Sequence, residues 1–361
     1  MINKNTFCVI MAGGIGSRFW PKSKTNYPKQ FLDILGTGRT LIQQTYDRLL
    51  RFAPKKNILI VTNTAYKNLV LEQLPDISEN QVLCEPSRRN TAPCIAYANY
   101  KIAAQNKNAN IIVAPADHLI LKEDEFERVV DLALEYTSKN DCLITLGIKP
   151  TRPDTGYGYI QFDNDSTDSE IKKVKTFTEK PNLVLAKEFV ASGEFSWNSG
   201  MFIWSLKSIL KAFQQYLPEI DNLFKEGEKL YNTDKEEDFI AKTYAVCKNI
   251  SIDYGIMEKA NNVFMINADI GWSDLGTWGS IYNHLKHDEN GNAIVGKNVL
   301  MYDASNCIVN APNDKLIVLQ GLDNYIVVQT EDTLLVCKKE DEQKIKEIVN
   351  DLKIKKLSKY Y

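Results

Sequence analysis

Short apolar runs and segments of helical period alternate along the first half of the chain. Continuous apolar runs of this length are typical of strands buried on both faces of a sheet. The runs are Phe7–Ala12, Ile58–Thr62, Ile111–Pro115 and Leu143–Ile148. The helical segments between them begin near Thr40, Thr64, Asn90 and Glu123. Such alternation predicts a parallel sheet covered by helices on both faces.

The second half has two further patterns. From Thr151 onward, longer loops separate short strands and predicted helices over Asn182–Ser192, Lys207–Tyr216 and Asp238–Cys247. After about Asp288 the strands become short and closely spaced with turn residues between them, which predicts a small all-β unit. These strands are Asn298–Tyr302, Cys307–Asn310, Lys315–Gln320, Tyr325–Gln329 and Thr333–Cys337. An amphipathic helix over Glu340–Leu352 completes this unit, so we predict two domains, 1–288 and 289–361.

Composition and charge exclude several classes of protein. With 361 residues, 44% hydrophobic and 25% charged, the chain has an ordinary globular balance. Its 44 basic and 46 acidic residues leave no basic field for a nucleic-acid backbone. The apolar run that ends at Ala12 is too short for a signal peptide or a membrane span. We therefore expect a cytoplasmic protein that binds neither nucleic acid nor membrane.

The number and spacing of cysteine and histidine residues limit the kinds of site that the chain can form. Seven cysteines are scattered without a C-x-x-C pair, and only three histidines occur. This pattern predicts neither a disulfide framework nor a structural zinc site. We expect the chemistry to use carboxylates, Lys, Arg and backbone amides.

A glycine-rich loop follows the first strand, at Ala12, Gly13, Gly14 and Gly16. Glycines at such a turn leave backbone amides free to approach a phosphate. The dinucleotide fingerprint fails because Phe19 stands where its last glycine is required, and no Gly-Lys-Ser/Thr of a P-loop follows. We predict a phosphate-binding loop of another kind, assisted by Arg18 and Lys29; the alternative is a glycine turn beside two solvated cations.

Several motifs in order resemble one family. Ala-Gly-Gly-x-Gly-x-Arg over residues 12–18, followed by Pro28-Lys29-Gln30, is similar to the signature of the sugar-phosphate nucleotidyltransferases. Phe19-Trp20-Pro21 after Arg18 resembles the mannose-1-phosphate guanylyltransferases within that family. Six further segments extend the resemblance over Cys8 to Trp278. They are Glu85–Pro93, Pro115–His118, Tyr157–Ile160 with Glu179–Pro181, Trp197–Phe202 and Gly271–Gly276.

The resemblance implies a role for each segment. It places the nucleotide at the glycine loop and at a second loop that leads into a helix N-terminus, where free amides suit an acceptor-rich ligand. It places Mg²⁺ on Asp117 and Asp274, two carboxylates of the kind that this ion prefers. The implied nucleotide residues are Ala12, Gly13, Gly14, Gly16, Glu85, Arg89, Asn90 and Thr91, and the implied sugar-phosphate residues are Gly156, Glu179, Lys180 and Asn198.

The resemblance also implies a fold and a reaction. The fold is a Rossmann-like mixed sheet flanked by helices, with a small β-helix-like unit at the C-terminus. The reaction is direct attack of mannose 1-phosphate on GTP, which gives GDP-mannose and pyrophosphate. Arg18 and Lys29 serve as the catalytic cations. The cupin-like domain that accompanies isomerase activity in some members has no counterpart in this sequence, so we expect no isomerase activity. A homodimer is expected from the resemblance alone.

Other functions remain open at this point. The enzyme could use another nucleotide or another hexose 1-phosphate. A glycosyltransferase of similar fold would usually carry a D-x-D motif, which is absent near Asp117. A catalytically silent regulatory relative would bind a nucleotide-sugar without turnover, usually after losing one of the four residues Arg18, Lys29, Asp117 and Asp274.

Overall fold

A computed structural model describes residues 3–163 and 170–361. Its strands are β1 (Thr6–Met11), β2 (Ile58–Asn63), β3 (Val82–Glu85), β4 (Asn110–Pro115), β5 (Leu143–Ile148), β6 (Gly158–Phe162), β7 (Ile171–Glu179), β8 (Phe195–Ser205), β9 (Val263–Asn267), β10 (Ala293–Val295), β11 (Val299–Tyr302), β12 (Ile308–Asn310), β13 (Ile317–Gln320), β14 (Tyr325–Gln329) and β15 (Leu334–Lys338). Its α-helices are α1 (Leu41–Leu49), α2 (Lys67–Gln73), α3 (Thr91–Ala103), α4 (Glu123–Lys139), α5 (Leu183–Ser192), α6 (Leu206–Tyr216), α7 (Pro218–Lys225), α8 (Glu236–Val246), α9 (Trp278–Tyr282) and α10 (Ile345–Ile354).

The described residues form two compact units. The larger unit comprises the described parts of Met1–Gly13, Thr45–Ala116 and Ile120–Trp272. The smaller unit comprises Gly14–Gln44, Asp117–Leu119 and Ser273–Tyr361. The smaller unit therefore takes the glycine loop after Gly13 as well as the C-terminal strands. The sequential division at 288/289 stays a prediction about domains along the chain.

One mixed sheet is the framework of the larger unit. The described strands are ordered β3-β2-β1-β4-β8-β5-β9-β7-β6. Three of the four predicted apolar runs, β1, β2 and β4, are parallel neighbours, and β3, which was not predicted, extends them in parallel. An all-parallel sheet was the wrong expectation, because β8 lies antiparallel between β4 and β5. The mixed sheet that the resemblance implied is confirmed.

Two helices of the larger unit begin where the sequence predicted, each with a capping asparagine. The Asn90 side chain accepts from the amide of Thr91 at the start of α3, and Asn182 accepts from Leu185 at the start of α5. α3 is buried along most of its length, so its alanines pack closely in the main hydrophobic core. The carboxyl ends of β1 and β4 lead directly into Ala12 and Ala116, so the two loops that carry predicted site residues start at the same edge of the sheet.

The smaller unit contains a β-helix-like stack. β10, β12 and β14 pair in parallel, and β11 pairs with β13 in parallel. Alternate residues of the first stack enter different cores, as a period of two requires. Cys307 and Val309 of this stack face a small core with Val327, whereas Ile308 and Ile326 pack with Ile345 and Val349 of α10. The predicted β-helix-like unit with a docked C-terminal helix is confirmed.

None of the helices within the described residues combines the length and the hydrophobicity that crossing a lipid bilayer requires.

Candidate active site

The glycine loop of the smaller unit presents main-chain N–H groups and turns its carbonyl groups toward the protein. Gln30 Nε2 donates to the carbonyl oxygen of Gly14 at 3.0 Å, and Ser23 Oγ donates to that of Ile15 at 2.7 Å. Within the described part of the chain, the amides of Gly14, Ile15 and Gly16 donate no hydrogen bond. A row of free amides at a tight turn is suited to an anion.

Gly16 is required at its position for two reasons. Its φ of +64° lies in the left-handed region. A Cβ built there would lie 2.5 Å from Cβ of Lys29. The loop therefore passes so close to Lys29 that a side chain at residue 16 would push the two apart.

Arg18 follows this turn with an unsatisfied donor. Its Nε is buried and has no hydrogen-bond partner among the described residues. The next residue, Phe19, is fixed by packing against Trp278, with ring centroids 5.4 Å apart. Because an unpaired buried donor costs free energy, an anionic acceptor at this guanidinium would relieve that cost.

Lys29 joins the two aspartates that were predicted to bind metal. Its Nζ lies 2.7 Å from Oδ2 of Asp117, 2.7 Å from the main-chain oxygen of Asp274 and 3.2 Å from that of Leu275. The lysine side chain is only 5% exposed and that of Asp117 is 27% exposed. All three ammonium hydrogens thus have acceptors, and direct contact of Lys29 with phosphate stays a prediction.

A short antiparallel bridge brings the two aspartates together within the smaller unit. Leu119 and Ser273 exchange main-chain hydrogen bonds of 2.8 and 3.1 Å. Asp117 lies two residues before this bridge and Asp274 one residue after it. Backbone pairing therefore brings two residues that are far apart in sequence close to each other.

The electrostatics of Asp117 favour its ionised form. Burial works against ionisation, but the charges of Lys29 and His118 and the Lys29 hydrogen bond outweigh it, so the pKa of Asp117 is lowered. A carboxylate that stays charged at neutral pH is a competent ligand for a cation.

The donor set fits Mg²⁺. No cluster of three or more His, Cys, Asp or Glu side chains suited to a metal occurs in the residues described. Mg²⁺ is usually held by one or two carboxylates together with water and substrate phosphates, so a complete protein cage is not required. Asp117 and Asp274 supply two such oxygen donors, and their role as ligands stays a prediction.

Glu85 lies at the end of β3 in the larger unit, largely buried. Its Oε1 accepts from the hydroxyl of Tyr244 at 3.1 Å. Its Oε2 lies on the side of Gly13, where a Cβ would come within 3.3 Å of it. Burial raises the pKa of Glu85 to about 7, against the opposing effects of Tyr244 and Arg88. Glu85 is thus partly protonated near neutral pH.

The loop after Glu85 is held by contacts of its own. Asn90 has a φ of +68° and caps α3. Thr91 Oγ1 accepts from the amide of Ile252 at 2.9 Å. The guanidinium of Arg89 donates to the carbonyl oxygens of Tyr244 and Ala245 at 3.1 and 3.3 Å. In this structure Arg89 therefore caps the end of α8, and its predicted contact with the nucleotide stays a prediction.

Two of the predicted sugar-side residues meet at Gly158. A Cβ on Gly158 would collide with Oε2 of Glu179 and lie 3.4 Å from Cβ of Asn198. Glu179 is nearly buried at 7% exposed and forms an ion pair with Lys180, whose side chain is 58% exposed. Gly156 is exposed, and its amide donates to Oδ1 of Asp154 at 2.8 Å.

A bulge in β8 directs Asn198 into this group. The pairing of β8 with β5 shifts register between Thr145 and Gly147, and Gly200 in the bulge has a φ of +72°. Bulges commonly re-aim a side chain beside a functional site. Asn198 Oδ1 accepts from Thr145 Oγ1 at 3.0 Å and from the amide of Gly200 at 3.1 Å.

The sequence analysis missed Asp253. Its Oδ1 accepts from Nδ2 of Asn198 at 2.9 Å. Burial and the neighbouring charge of Glu179 raise the pKa of Asp253 to about 7. A single acidic residue between Ile252 and Tyr254 carries no periodic signal, so only a motif match over this segment would have found it.

Comparison with known proteins places this chain in a family. A family model described as Nucleotidyl transferase matches residues 7–291. The chain belongs to the nucleotidyl transferase family. A second model, described as MannoseP isomerase/GMP-like beta-helix domain, matches residues 297–352. Enzymes of this nucleotidyl transferase family generally use a divalent metal ion.

Named relatives cover most of this nucleotidyl transferase. It is 37% identical over 348 residues to the alginate biosynthesis protein AlgA of Pseudomonas aeruginosa, covering 95% of this chain and 71% of the relative. It is 36% identical to the mannose-1-phosphate guanylyltransferase of Escherichia coli, covering 88% and 71%. A crystal structure from Thermus thermophilus, described as mannose-1-phosphate geranyltransferase, superposes with a TM-score of 0.87 at 27% identity and covers 97% of this chain and 99% of that one. The predicted family and fold are confirmed.

Proposed function

We propose that this nucleotidyl transferase transfers GMP from GTP to mannose 1-phosphate and releases pyrophosphate and GDP-mannose. The observation that carries the proposal is the meeting of Lys29, Asp117 and Asp274 in the unit that also holds a loop of free amides. The relatives named mannose-1-phosphate guanylyltransferase support the choice of nucleotide and sugar.

The reaction needs positioning and charge neutralisation more than proton transfer. A phosphate oxygen of mannose 1-phosphate attacks the α-phosphorus of GTP, and the bond from that phosphorus to the oxygen bridging to the β-phosphate breaks. Pyrophosphate leaves with the electron pair. Because the attacking phosphate is already an anion, no general base is required. Stabilisation of charge by fixed donors is then the main contribution of the protein.

The loop residues act on the leaving group. The free amides of Gly14, Ile15 and Gly16 donate to the phosphate oxygens, and the unpaired Nε of Arg18 donates to the negative charge that grows on pyrophosphate. Lys29 holds the carboxylate of Asp117 and the main chain of Asp274 in a fixed arrangement. In other enzymes, removal of one preorganised donor of this sort lowers the rate about 10²–10³-fold.

Asp117 and Asp274 would hold the Mg²⁺ ion. When bound, the ion neutralises negative charge on the phosphates of the substrates. The lowered pKa of Asp117 keeps this ligand ionised at neutral pH without help from the metal.

Residues of the larger unit recognise the base and the sugar. Glu85 and the loop through Arg89, Asn90 and Thr91 bind the nucleoside, together with the main chain of Ala12 and Gly13. The carboxylate of Glu179 and the amide of Asn198 read hexose hydroxyls, and the exposed ammonium group of Lys180 binds the sugar phosphate. Gly156 offers main-chain access beside the ring.

A substrate grid tests the proposal. Pyrophosphate release is measured with four nucleoside triphosphates against several hexose 1-phosphates, with Mg²⁺ and with excess chelator. We expect the highest kcat/KM for GTP with mannose 1-phosphate and no turnover without a divalent ion. A different preferred pair would reassign the substrates, and binding of GDP-mannose without turnover of any pair would identify a silent regulatory relative. Cytoplasmic location and a homodimer stay predictions.

A further inference from the structure

The segment Ile250–Glu258 contacts both groups of substrate residues predicted in the larger unit. On the nucleotide side, the amide of Ile250 donates to the carbonyl oxygen of Arg89 at 3.2 Å, and that of Ile252 donates to Thr91 Oγ1 at 2.9 Å. On the sugar side, Glu258 Oε1 accepts from the amide of Glu179 at 3.2 Å. One short segment is thus fixed to the residues that we assign to two different substrates.

The middle of this segment widens into a π-helical turn over Asp253–Met257. Turns of this kind are rare and occur frequently at functional sites. The turn begins with Asp253, and its carboxylate accepts the hydrogen bond from Asn198. The unusual backbone therefore coincides with a residue whose side chain bonds the side chain of a predicted sugar ligand.

The hydrogen bonds of Asn198 leave its amide only one orientation. Its Oδ1 accepts from the amide of Gly200 and lies 3.0 Å from Thr145 Oγ1, whose single hydrogen is shared with the main-chain oxygen of Met201. Its Nδ2 donates one hydrogen to Asp253. An inverted amide would direct hydrogens at the Gly200 donor and an oxygen at the Asp253 carboxylate, which is unfavourable on both sides. The second hydrogen of Nδ2 is then aimed in a fixed direction.

We infer that Asp253 is a positioning residue of the mannose 1-phosphate site, which fixes the Asn198 amide so that its second Nδ2 hydrogen is presented to a hexose hydroxyl. The inference rests on the proposed function, because it assumes that Asn198 contacts the sugar. Asp253 acts through Asn198 and is assigned no contact with the reacting atoms. Discrimination between hexose 1-phosphates therefore depends on a residue outside the glycine and metal motifs.

The charge of Asp253 gives this role a measurable signature. The titratable groups that face it are Glu179, which raises its pKa, and Lys180, which lowers it; its other side-chain neighbour, Asn198, is neutral. A charged acceptor forms a stronger hydrogen bond than a neutral one. Asp253 should therefore hold Asn198 more firmly above pH 7 than below it.

The experiment compares Asp253→Ala and Asp253→Asn with the wild-type enzyme. Removal of the acceptor in Asp253→Ala should raise the KM for mannose 1-phosphate about tenfold or more, while the KM for GTP changes less than twofold. Asp253→Asn keeps a neutral acceptor, so its KM for mannose 1-phosphate should equal the wild-type value near pH 6. The ratio of variant to wild-type KM should then rise severalfold as the pH increases through about 7.

Asp76→Ala is the matched control, because Asp76 is an exposed aspartate of the same unit that pairs with Lys55. It should leave both KM values unchanged. Equal changes in both KM values for Asp253→Ala, or an unchanged KM for mannose 1-phosphate, would overturn the inference. If Asp253→Ala does not fold, a KM ratio for Asp253→Asn that is flat with pH would overturn it. Absence of wild-type turnover with GTP and mannose 1-phosphate would instead refute the proposed function.

Discussion

The ammonium nitrogen of Lys29 lies 2.7 Å from Oδ2 of Asp117. The same nitrogen lies 2.7 Å from the main-chain oxygen of Asp274, so one buried cation sets the spacing of two residues that are far apart in sequence. Its first effect is on the two residues that we propose as metal ligands, and any effect on phosphate comes in addition. Substitutions at these residues should separate the two effects.

Lys29→Met keeps the length of the side chain and removes its charge. Asp117 would then lose the cation that lowers its pKa, and we expect kcat to fall about 10²–10³-fold with a higher Mg²⁺ concentration at half-saturation. The measurement is pyrophosphate release as a function of Mg²⁺. Lys24→Met is the control, because Lys24 forms an ion pair with Asp332 in the same unit and should keep the wild-type metal dependence. A wild-type Mg²⁺ dependence in Lys29→Met would show that Lys29 does not organise the ligands.

Gly16→Ala should lower kcat in addition to lowering the free energy of unfolding. The left-handed conformation costs a residue with a Cβ about 1–2 kcal/mol, and the new methyl group would also displace Lys29. Gly36→Ala is the matched control, because Gly36 has a φ of +70° with open space around it. We expect a similar loss of unfolding free energy in Gly36→Ala with unchanged kcat, and about 10²-fold lower kcat in Gly16→Ala. Thermal unfolding and initial rates measure both; equal kcat values in the two variants would contradict the close approach.

Arg18→Ala removes the unpaired buried donor. We expect kcat for GDP-mannose synthesis to fall about 10²–10³-fold, because the charge on the leaving group loses its donor. In the reverse reaction, GTP formation from GDP-mannose and pyrophosphate, the KM for pyrophosphate should rise. Lys344→Ala removes an exposed cation of the same unit that pairs with Asp341 and should change neither value. An unaltered KM for pyrophosphate in Arg18→Ala would show that Arg18 does not bind the leaving group.

Glu85 makes stability depend on pH in a defined direction. Burial raises its pKa from 4.5 to about 7, so between these values the folded state binds more protons than the unfolded state. The contribution of Glu85 to the free energy of unfolding therefore falls as the pH rises, by about 3 kcal/mol over this range. Urea unfolding at several pH values should show that the free energy of unfolding declines less with rising pH in Glu85→Gln than in the wild-type protein. The same slope in both would mean that Glu85 titrates normally.

The sequence was sufficient to predict the elements whose pattern is local. The first four apolar runs and the helix starts near Asn90 and Asn182 occur as predicted. Motif order predicted that Asp117 and Asp274 belong to one site. The Leu119–Ser273 bridge brings these two residues near each other, and their role as metal ligands stays a prediction.

Features that depend on long-range pairing were missed. β8 joins β4 and β5 across the sheet, and its glycine-containing bulge breaks the alternation that predicts a strand. The partner of Asn198, Asp253, follows from where that bulge directs a side chain. The hydrogen bonds from Arg89 to carbonyl oxygens at the end of α8 could not be predicted either, because the sequence does not distinguish a solvated arginine from one that caps a helix.

The most direct test is anomalous diffraction at a bound manganese ion in crystals grown with Mn²⁺ and a GTP analogue that resists cleavage. We predict one manganese peak that is coordinated by carboxylate oxygens of both Asp117 and Asp274 and by a phosphate oxygen of the nucleotide. A peak that neither aspartate touches, in crystals that contain the nucleotide, would contradict it.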